Sequence, residues 1–109
     1  MHSTSLSIPA DHPAYAGHFP GHALLPGVAL LAEVLEAALG APDIAARIGP
    51  QPRLARVKFL LPVTPAVPST ELTIHFDVAG ARTGFEVRLG ERIAASGQFE
   101  RASGGAASP

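Results

Sequence analysis

The residues best suited to chemistry lie in one short segment, from Gly17 to Val28, where histidine stands among glycines and prolines. Such a density of glycine and proline prevents a regular helix or strand, so the segment is predicted to be a shaped loop. His18 lies near its start, and imidazole is the side chain that exchanges a proton most readily at neutral pH. The sequence therefore predicts a proton-transfer group held in a rigid loop.

The loop leads into a predicted helix. Residues Val28 to Leu39 are nearly all strong helix formers, Pro26 suits a helix start, and Gly40 supplies a stop signal. The backbone N–H groups of Gly27 and Val28 would then lie at the positive end of the helix, where they can stabilise an oxyanion. Gly27 has no side chain, so a substrate could approach the backbone closely. These features together suit chemistry on a carbonyl compound.

The predicted helix is apolar over more than half of its circumference. Its apolar surface consists of Val28, Leu30, Leu31, Val34, Leu35, Ala38 and Leu39. One narrow polar stripe, formed by Ala29, Glu33 and Glu36, interrupts that surface. A helix as apolar as this is normally covered on several sides, so we expect a sheet around it and a second subunit against it.

The rest of the chain shows strand patterns. Residues Glu71 to Val78 alternate between apolar and polar side chains, and Phe85 to Leu89 continue the alternation after a glycine-containing turn. Further strands are predicted at Ser3 to Ile8, Arg53 to Leu61 and Ile93 to Phe99. This order predicts an α+β domain in which a curled antiparallel sheet covers one long central helix.

Two segments are predicted as connections or ends. The residues from Gly40 to Pro52 are rich in glycine and proline and separate the helix from the strands that follow. Residues 102–109 are small, polar and glycine-rich, so a flexible tail is expected after a single domain at 1–101.

Length and composition exclude several classes of protein. The chain of 109 residues has no cysteine, which removes disulfides, thiolate chemistry and cysteine-ligated zinc. Eight Lys and Arg against nine Asp and Glu give a net charge of -1, whereas nucleic-acid binders normally carry a basic excess. The spacing of His12, His18 and His22 fits no common metal site, so no metal or other cofactor is predicted. No secretory signal or membrane span is visible, and a cytoplasmic protein is expected.

The run His18-Phe19-Pro20-Gly21, followed by Leu25-Pro26-Gly27-Val28, resembles the active-site segment of the β-hydroxyacyl-(acyl carrier protein) dehydratases. These are hot-dog-fold enzymes of fatty-acid synthesis and of related polyketide or aryl-polyene pathways. The resemblance extends over residues 5–101, with its specific part in this segment. It implies the hot-dog fold, a curled antiparallel sheet wrapped round one long central helix.

The resemblance also implies a mechanism and a set of site residues. His18 would remove the α-proton of a 3-hydroxyacyl thioester, while the N–H groups of Gly27 and Val28 would bind the thioester carbonyl. A carboxylate from the central helix would deliver a proton to the leaving hydroxyl. The site would be shared between the subunits of a homodimer, and the acyl chain would arrive on the phosphopantetheine of acyl carrier protein or on coenzyme A. An apolar tunnel for the acyl chain would be lined by Phe19, Leu25, Leu30 and Ala32.

The chain departs from this family at the acid position. The family has its acidic residue fourteen positions after the histidine, and this chain has Ala32 there. Glu33 is adjacent, but one residue rotates a helical side chain by about 100°. Glu36 lies within about 40° of the direction of Ala32 but about 6 Å further along the axis. Glu33 and Glu36 are both candidate acids, and both could instead form a solvated or interfacial stripe.

Other interpretations remain open from the sequence. His18 could be a structural loop histidine bonded to the backbone. Arg53, Arg56 and Lys58 could attract an acidic carrier protein and its phosphopantetheine phosphate, or could form a solvated strand face. The protein could be an active dehydratase, a catalytically impaired or non-catalytic subunit that binds acyl carriers or a paralogue, or a hot-dog acyl thioesterase.

Overall fold

The structure is a computed structural model that describes residues 2–15, 25–79 and 82–100. In this part of the chain, five strands form one antiparallel sheet and two α-helices lie against it. The strands are β1 (His2–Pro9), β2 (Arg53–Phe59), β3 (Ser69–Ala79), β4 (Arg82–Leu89) and β5 (Arg92–Glu100), and the helices are α1 (Gly27–Leu39) and α2 (Pro42–Ile48). The order in the sheet is β1-β3-β4-β5-β2, which makes β1 and β2 the edge strands. The predicted α+β organisation is confirmed.

Alternation along the strands gives the sheet an apolar inner face and a polar outer face. Ile74 and Phe76 of β3 are fully buried, whereas His75 between them is partly exposed. The same alternation in β4 buries Phe85 and Val87 on the inner face. The helices pack on that face and share with it a core that includes Ile8, Leu30, Val34, Ile44, Ile48, Ile74, Phe76, Phe85, Val87 and Phe99.

The exposed side of α1 differs from the predicted polar stripe. Leu30, Val34 and Ala38 are buried, as the sequence predicts. Val28 is 78% exposed and Leu39 is 42% exposed, so the sheet does not cover these two members of the predicted apolar surface within this subunit. The reason is helical geometry, because Val28 is two residues from Leu30, a rotation of about 200°, and Leu39 is one residue from Ala38, a rotation of about 100°. We call the exposed set Val28, Ala32, Glu36 and Leu39 the open stripe of α1.

A second helix lies in the segment that the sequence analysis treats only as a connection. Pro42 occupies the first turn of α2, where a missing N–H costs nothing, and Gly49 caps its end with a φ of 77°. Ile44 and Ile48 are buried on one side of this short helix. Packing of these two side chains therefore stabilises a helix of only seven residues.

Strand β2 carries an irregularity. Its pairing with β5 shifts register between Ala55 and Lys58, and Arg56 between them has a φ of 54°. A β-bulge of this kind bends the strand and changes the direction in which its side chains point. Across the part of the chain that the structure describes, no helix is long and apolar enough to cross a membrane.

Candidate functional site

The N-terminus of α1 is held against the connection between β2 and β3. The Leu25 N–H donates a 2.8 Å hydrogen bond to the Val63 carbonyl, and both side chains are buried. The Pro26 carbonyl accepts from the N–H groups of Ala29 and Leu30, each at 3.0 Å. Gly27 and Val28 precede Ala29 in the chain, so their N–H groups come before the first N–H group that donates to the Pro26 carbonyl. They lie at the positive end of the helix, where an oxygen that gains negative charge can be bound.

A small apolar cavity opens beside this helix end. It has a volume of about 210 Å³, and its walls come from the start of α1, the end of β2 and the chain that follows β2. Its lining consists of Leu25, Gly27, Leu30, Phe59, Leu60, Leu61, Pro62 and Val63. Three residues that the sequence predicts for substrate binding, Leu25, Gly27 and Leu30, are therefore brought together around one space. We call this space the Gly27 cavity.

Gly27 is packed tightly against an aromatic ring. A Cβ atom built on Gly27 would lie 2.6 Å from Cζ of Phe59 and 3.0 Å from its two Cε atoms. Phe59 lines the cavity and is itself 53% exposed. Any side chain at position 27 would displace this ring from the helix end. Packing therefore explains the glycine, in addition to the close approach of a substrate that the sequence predicts.

Two predicted site residues lie outside the described residues. His18 and Phe19 fall in 16–24, so the predicted base and the first tunnel residue have no described position. Ala32 does not border the Gly27 cavity and is exposed on the open stripe of α1.

The two candidate carboxylates occupy different environments. Glu36 is exposed and lies one turn beyond Ala32 on the open stripe. Glu33 is turned away from that stripe, and its Oε2 atom lies 3.1 Å from Nε2 of His12. The side chains of His12 and Glu33 are only 19% and 27% exposed. The structure therefore separates two residues that the sequence treats as equivalent candidates.

A larger groove of about 630 Å³ lies on the outer, polar face of the sheet. Arg56 and Lys58 of β2 form part of its wall, and the bulge at Arg56 shapes that wall. Arg88 lies in the same groove, and its guanidinium donates hydrogen bonds of 2.8 and 3.1 Å to Oε1 of Glu86. Arg53, the third predicted carrier-binding residue, is exposed but does not line this groove.

One carboxylate on the outer face has a perturbed acidity. The hydroxyl groups of Ser69 and Ser7 both donate to Oε2 of Glu71, the latter at 2.6 Å. These hydrogen bonds, with that of Ser69 the larger contribution, lower the pKa of Glu71. The side chain is fully exposed, and nothing in its surroundings connects it to the Gly27 cavity.

Three residues with structural roles were not predicted from the sequence. Phe59 was predicted only as part of a strand, although an aromatic residue followed by Leu60 and Leu61 is a signal for an apolar wall. His12 was weighed only as a metal ligand. The Tyr15 hydroxyl is buried without a hydrogen-bond partner among the described residues, and nothing in its local sequence signals that burial.

One family profile covers most of the chain. The profile of the ApeI-like family, described as ApeI dehydratase, matches residues 1–98. The chain belongs to this ApeI-like dehydratase family. Its membership confirms the resemblance to hot-dog dehydratases drawn from the loop motif. No curated protein sequence matches the chain.

Solved structures confirm the fold of this ApeI-like chain. It is similar to the dehydratase heterocomplex ApeI:P from Xenorhabdus doucetiae, with a TM-score of 0.69 and 24% identity over 90% of this chain and 83% of that one. It is also similar to a mutant of the fluoroacetyl-CoA-specific thioesterase FlK, with a TM-score of 0.50 and 15% identity over 90% and 80% of the two chains. At these identities the likeness shows the hot-dog fold, a curled five-stranded antiparallel sheet with helices on one face.

Proposed function

We propose that this protein binds acyl thioesters and dehydrates 3-hydroxyacyl groups carried by acyl carrier protein. The observation that carries the proposal is the Gly27 cavity, a space lined by apolar residues and by Gly27, the first residue of α1. The apolar lining suits an acyl chain, and the N–H groups suit the oxygen of a thioester carbonyl. Membership of a dehydratase family supports the same reaction class.

The reaction begins at the carbon next to the thioester carbonyl. His18 takes the α-proton, and the electron pair of the broken C–H bond moves toward the carbonyl, which becomes enolate-like. The N–H group of Gly27, with that of Val28 beside it, stabilises the negative charge on that oxygen. The electron pair then forms the carbon–carbon double bond as the bond to the 3-hydroxyl breaks. The hydroxyl takes up a proton and leaves as water, so the product is a 2-enoyl thioester.

The proton donor to the hydroxyl is assigned to Glu36 of a second copy of this chain. Glu36 lies on the open stripe of α1 together with Val28 and Leu39, two apolar side chains exposed in the single subunit. An exposed apolar stripe of this kind supports a subunit contact. Glu33 is the weaker candidate because its carboxylate already faces His12. The proposed assembly is a cytoplasmic homodimer with a shared site.

Ala32 supports a second candidate function, that of a subunit completed by a paralogue. In the resembling enzymes, this position carries the acid that serves the neighbouring subunit. Ala32 is exposed, so a carboxylate at this position would extend out of its own subunit. A homodimer would then contain two sites without that acid, whereas a heterodimer with an acid-bearing relative would contain one complete site built on His18. The similar ApeI:P structure is a dehydratase heterocomplex, which supports such pairing.

The carrier is proposed to approach the side of the molecule that bears Arg56 and Lys58. Both residues belong to the edge strand β2, which leads directly through Phe59 into the wall of the Gly27 cavity. Acyl carrier proteins present acidic surfaces, and cationic side chains near a cavity increase the local concentration of such a partner. Arg53, at the start of the same strand, extends the positive charge.

A dehydration assay tests these proposals. Purified protein is incubated with 3-hydroxybutyryl and 3-hydroxydecanoyl thioesters, and the enoyl product and any free acid are measured. The main proposal expects enoyl product from the wild type, loss of it in His18→Ala, and a decrease of about 100-fold in Glu36→Gln. A wild type that is inactive alone but gains activity through Ala32→Glu, with Ala32→Gln as the uncharged control, would favour the paralogue subunit. Release of free acid without enoyl product would identify a thioesterase and contradict both.

A further inference from the structure

His12 and Glu33 form a half-buried pair that connects two separate parts of the chain. His12 lies in the turn after β1, and Glu33 lies in the second turn of α1, 21 residues further along the sequence. The Nε2 atom of His12 is 3.1 Å from Oε2 of Glu33. The other ring nitrogen, Nδ1, accepts a 3.0 Å hydrogen bond from the Ala14 N–H. Both nitrogens of one imidazole are therefore engaged by the protein.

These contacts fix the tautomer of the ring. A backbone N–H can only donate, so Nδ1 of His12 must carry a lone pair rather than a proton. The ring proton of the neutral imidazole is then on Nε2, which donates it to the Glu33 carboxylate. A carboxylate that orients one imidazole nitrogen while the backbone orients the other fixes the ring in a single position.

His12 lies in the stretch of chain that leads into residues 16–24, the segment that contains His18. The turn is closed by hydrogen bonds of 3.0 Å from the His12 N–H to the Pro9 carbonyl and from the Tyr15 N–H to the His12 carbonyl. Tyr15, only 7% exposed, is the last described residue before that segment, and His18 follows it by three positions. The opposite end of the segment is held by the Leu25 N–H on the Val63 carbonyl.

We infer that Glu33 and His12 are positioning residues, which tie the chain leading to His18 onto the helix whose first turn carries Gly27. This inference rests on the proposed function for its catalytic consequence. Dehydration needs the base and the carbonyl-binding N–H groups at a fixed separation, and misplacement by about 1 Å can cost about 100-fold in rate. Glu33 acts through His12 and gives no proton to the substrate.

Three variants separate positioning from proton donation. Glu33→Ala removes the acceptor for the His12 ring, whereas Glu33→Gln keeps an oxygen in the same place without an acidic proton. His12→Asn keeps a side-chain oxygen that can accept from the Ala14 N–H two residues on, but it is too short to reach Glu33. The matched control is Asp43→Ala. Asp43 also forms a histidine–carboxylate pair, but its Oδ2 atom is 3.8 Å from Nδ1 of His2 and its side chain is 71% exposed.

The first readout is turnover of the full chain on 3-hydroxydecanoyl thioester. We expect kcat to decrease by about tenfold or more in Glu33→Ala and His12→Asn, with KM changed by less than about threefold, because no lining of the Gly27 cavity is altered. Glu33→Gln should regain most of the loss, and the double variant should be no worse than either single one. Equal loss in Glu33→Gln and Glu33→Ala would overturn the inference in favour of a proton donor.

The second readout does not depend on activity. Nitrogen NMR of the His12 ring should show the proton on Nε2 in the wild type. Hydrogen exchange of the Ala14 amide should accelerate about tenfold in Glu33→Ala and stay unchanged in Asp43→Ala. A proton on Nδ1, or unaltered Ala14 exchange in Glu33→Ala, would overturn the inference whether or not the wild type is active. Failure of the dehydration assay with these NMR results intact would contradict the proposed function alone.

Discussion

Replacement of Gly27 by alanine measures how closely the start of α1 packs against Phe59 at the end of β2. The added Cβ would lie 2.6 Å from Cζ of Phe59. Carbon atoms in contact prefer a separation of about 3.5–4.0 Å, so the ring must move by about 1 Å. Since Phe59 is 53% exposed, it can move outward into solvent rather than into the core.

The expected change in stability is small because two effects oppose each other. Overpacking costs about 1–3 kcal/mol, and a ring that can move outward should lie near the lower end. Gly27 does not have a positive φ, so alanine also restricts the unfolded chain and contributes about 0.4–1 kcal/mol of stability. The net loss in the free energy of unfolding is then below about 1 kcal/mol, which corresponds to a Tm decrease of less than about 8 °C.

A double-mutant cycle with Phe59→Ala decides whether this account is correct. Without the ring the clash disappears, so Gly27→Ala should stabilise the Phe59→Ala protein by about 0.4–1 kcal/mol, measured by denaturant unfolding. The same destabilisation by Gly27→Ala in both backgrounds would refute the contact with Phe59.

Three further predictions concern sites outside the Gly27 cavity. Under the paralogue-subunit alternative, Ala32→Glu should increase the dehydration rate, and because it adds a charge at an exposed helical position, the free energy of unfolding should change by less than about 0.5 kcal/mol in a denaturant titration. Arg56→Gly removes a side chain from a residue with a φ of 54° and should increase stability by about 1 kcal/mol in calorimetry, whereas Arg56→Val should decrease it. Ser69→Ala and Ser7→Ala should each raise the lowered pKa of Glu71 toward 4.5 in an NMR titration. Because that folded-state pKa is depressed, the stability from these hydrogen bonds is present above pH 4.5 and is lost as the pH falls through the lowered pKa, so wild type and variants should converge in strong acid.

Much of the fold could be predicted because its signals are local. Alternation in β3 predicted Glu71 to Val78, and the structure extends that strand to Ser69–Ala79. The central helix was predicted from its composition and ends at Leu39 as expected. The helix α2 was missed although Pro42 and Gly49 are typical start and stop residues, since a segment of seven residues is stabilised by tertiary packing of Ile44 rather than by its own sequence.

The candidate site was predicted only where it depends on one stretch of chain. The motif from Leu25 to Val28 indicated the helix end and its N–H groups. The role of Glu33 could not be found from helical angles, because its partner His12 comes from another part of the chain. Likewise, the contact of Gly27 with Phe59 joins residues 32 positions apart in the sequence.

The bulge in β2 also affects how the molecule behaves at high concentration. An edge strand offers unpaired N–H and C=O groups to other chains, and fibrils grow when long, flat edges add to one another without limit. Here the register shift between Ala55 and Lys58 divides the edge into two short pieces, and Arg56 places a charged side chain at the break. Bulges and charged side chains are features that protect edge strands from pairing with other chains, so we expect β2 to disfavour open-ended growth.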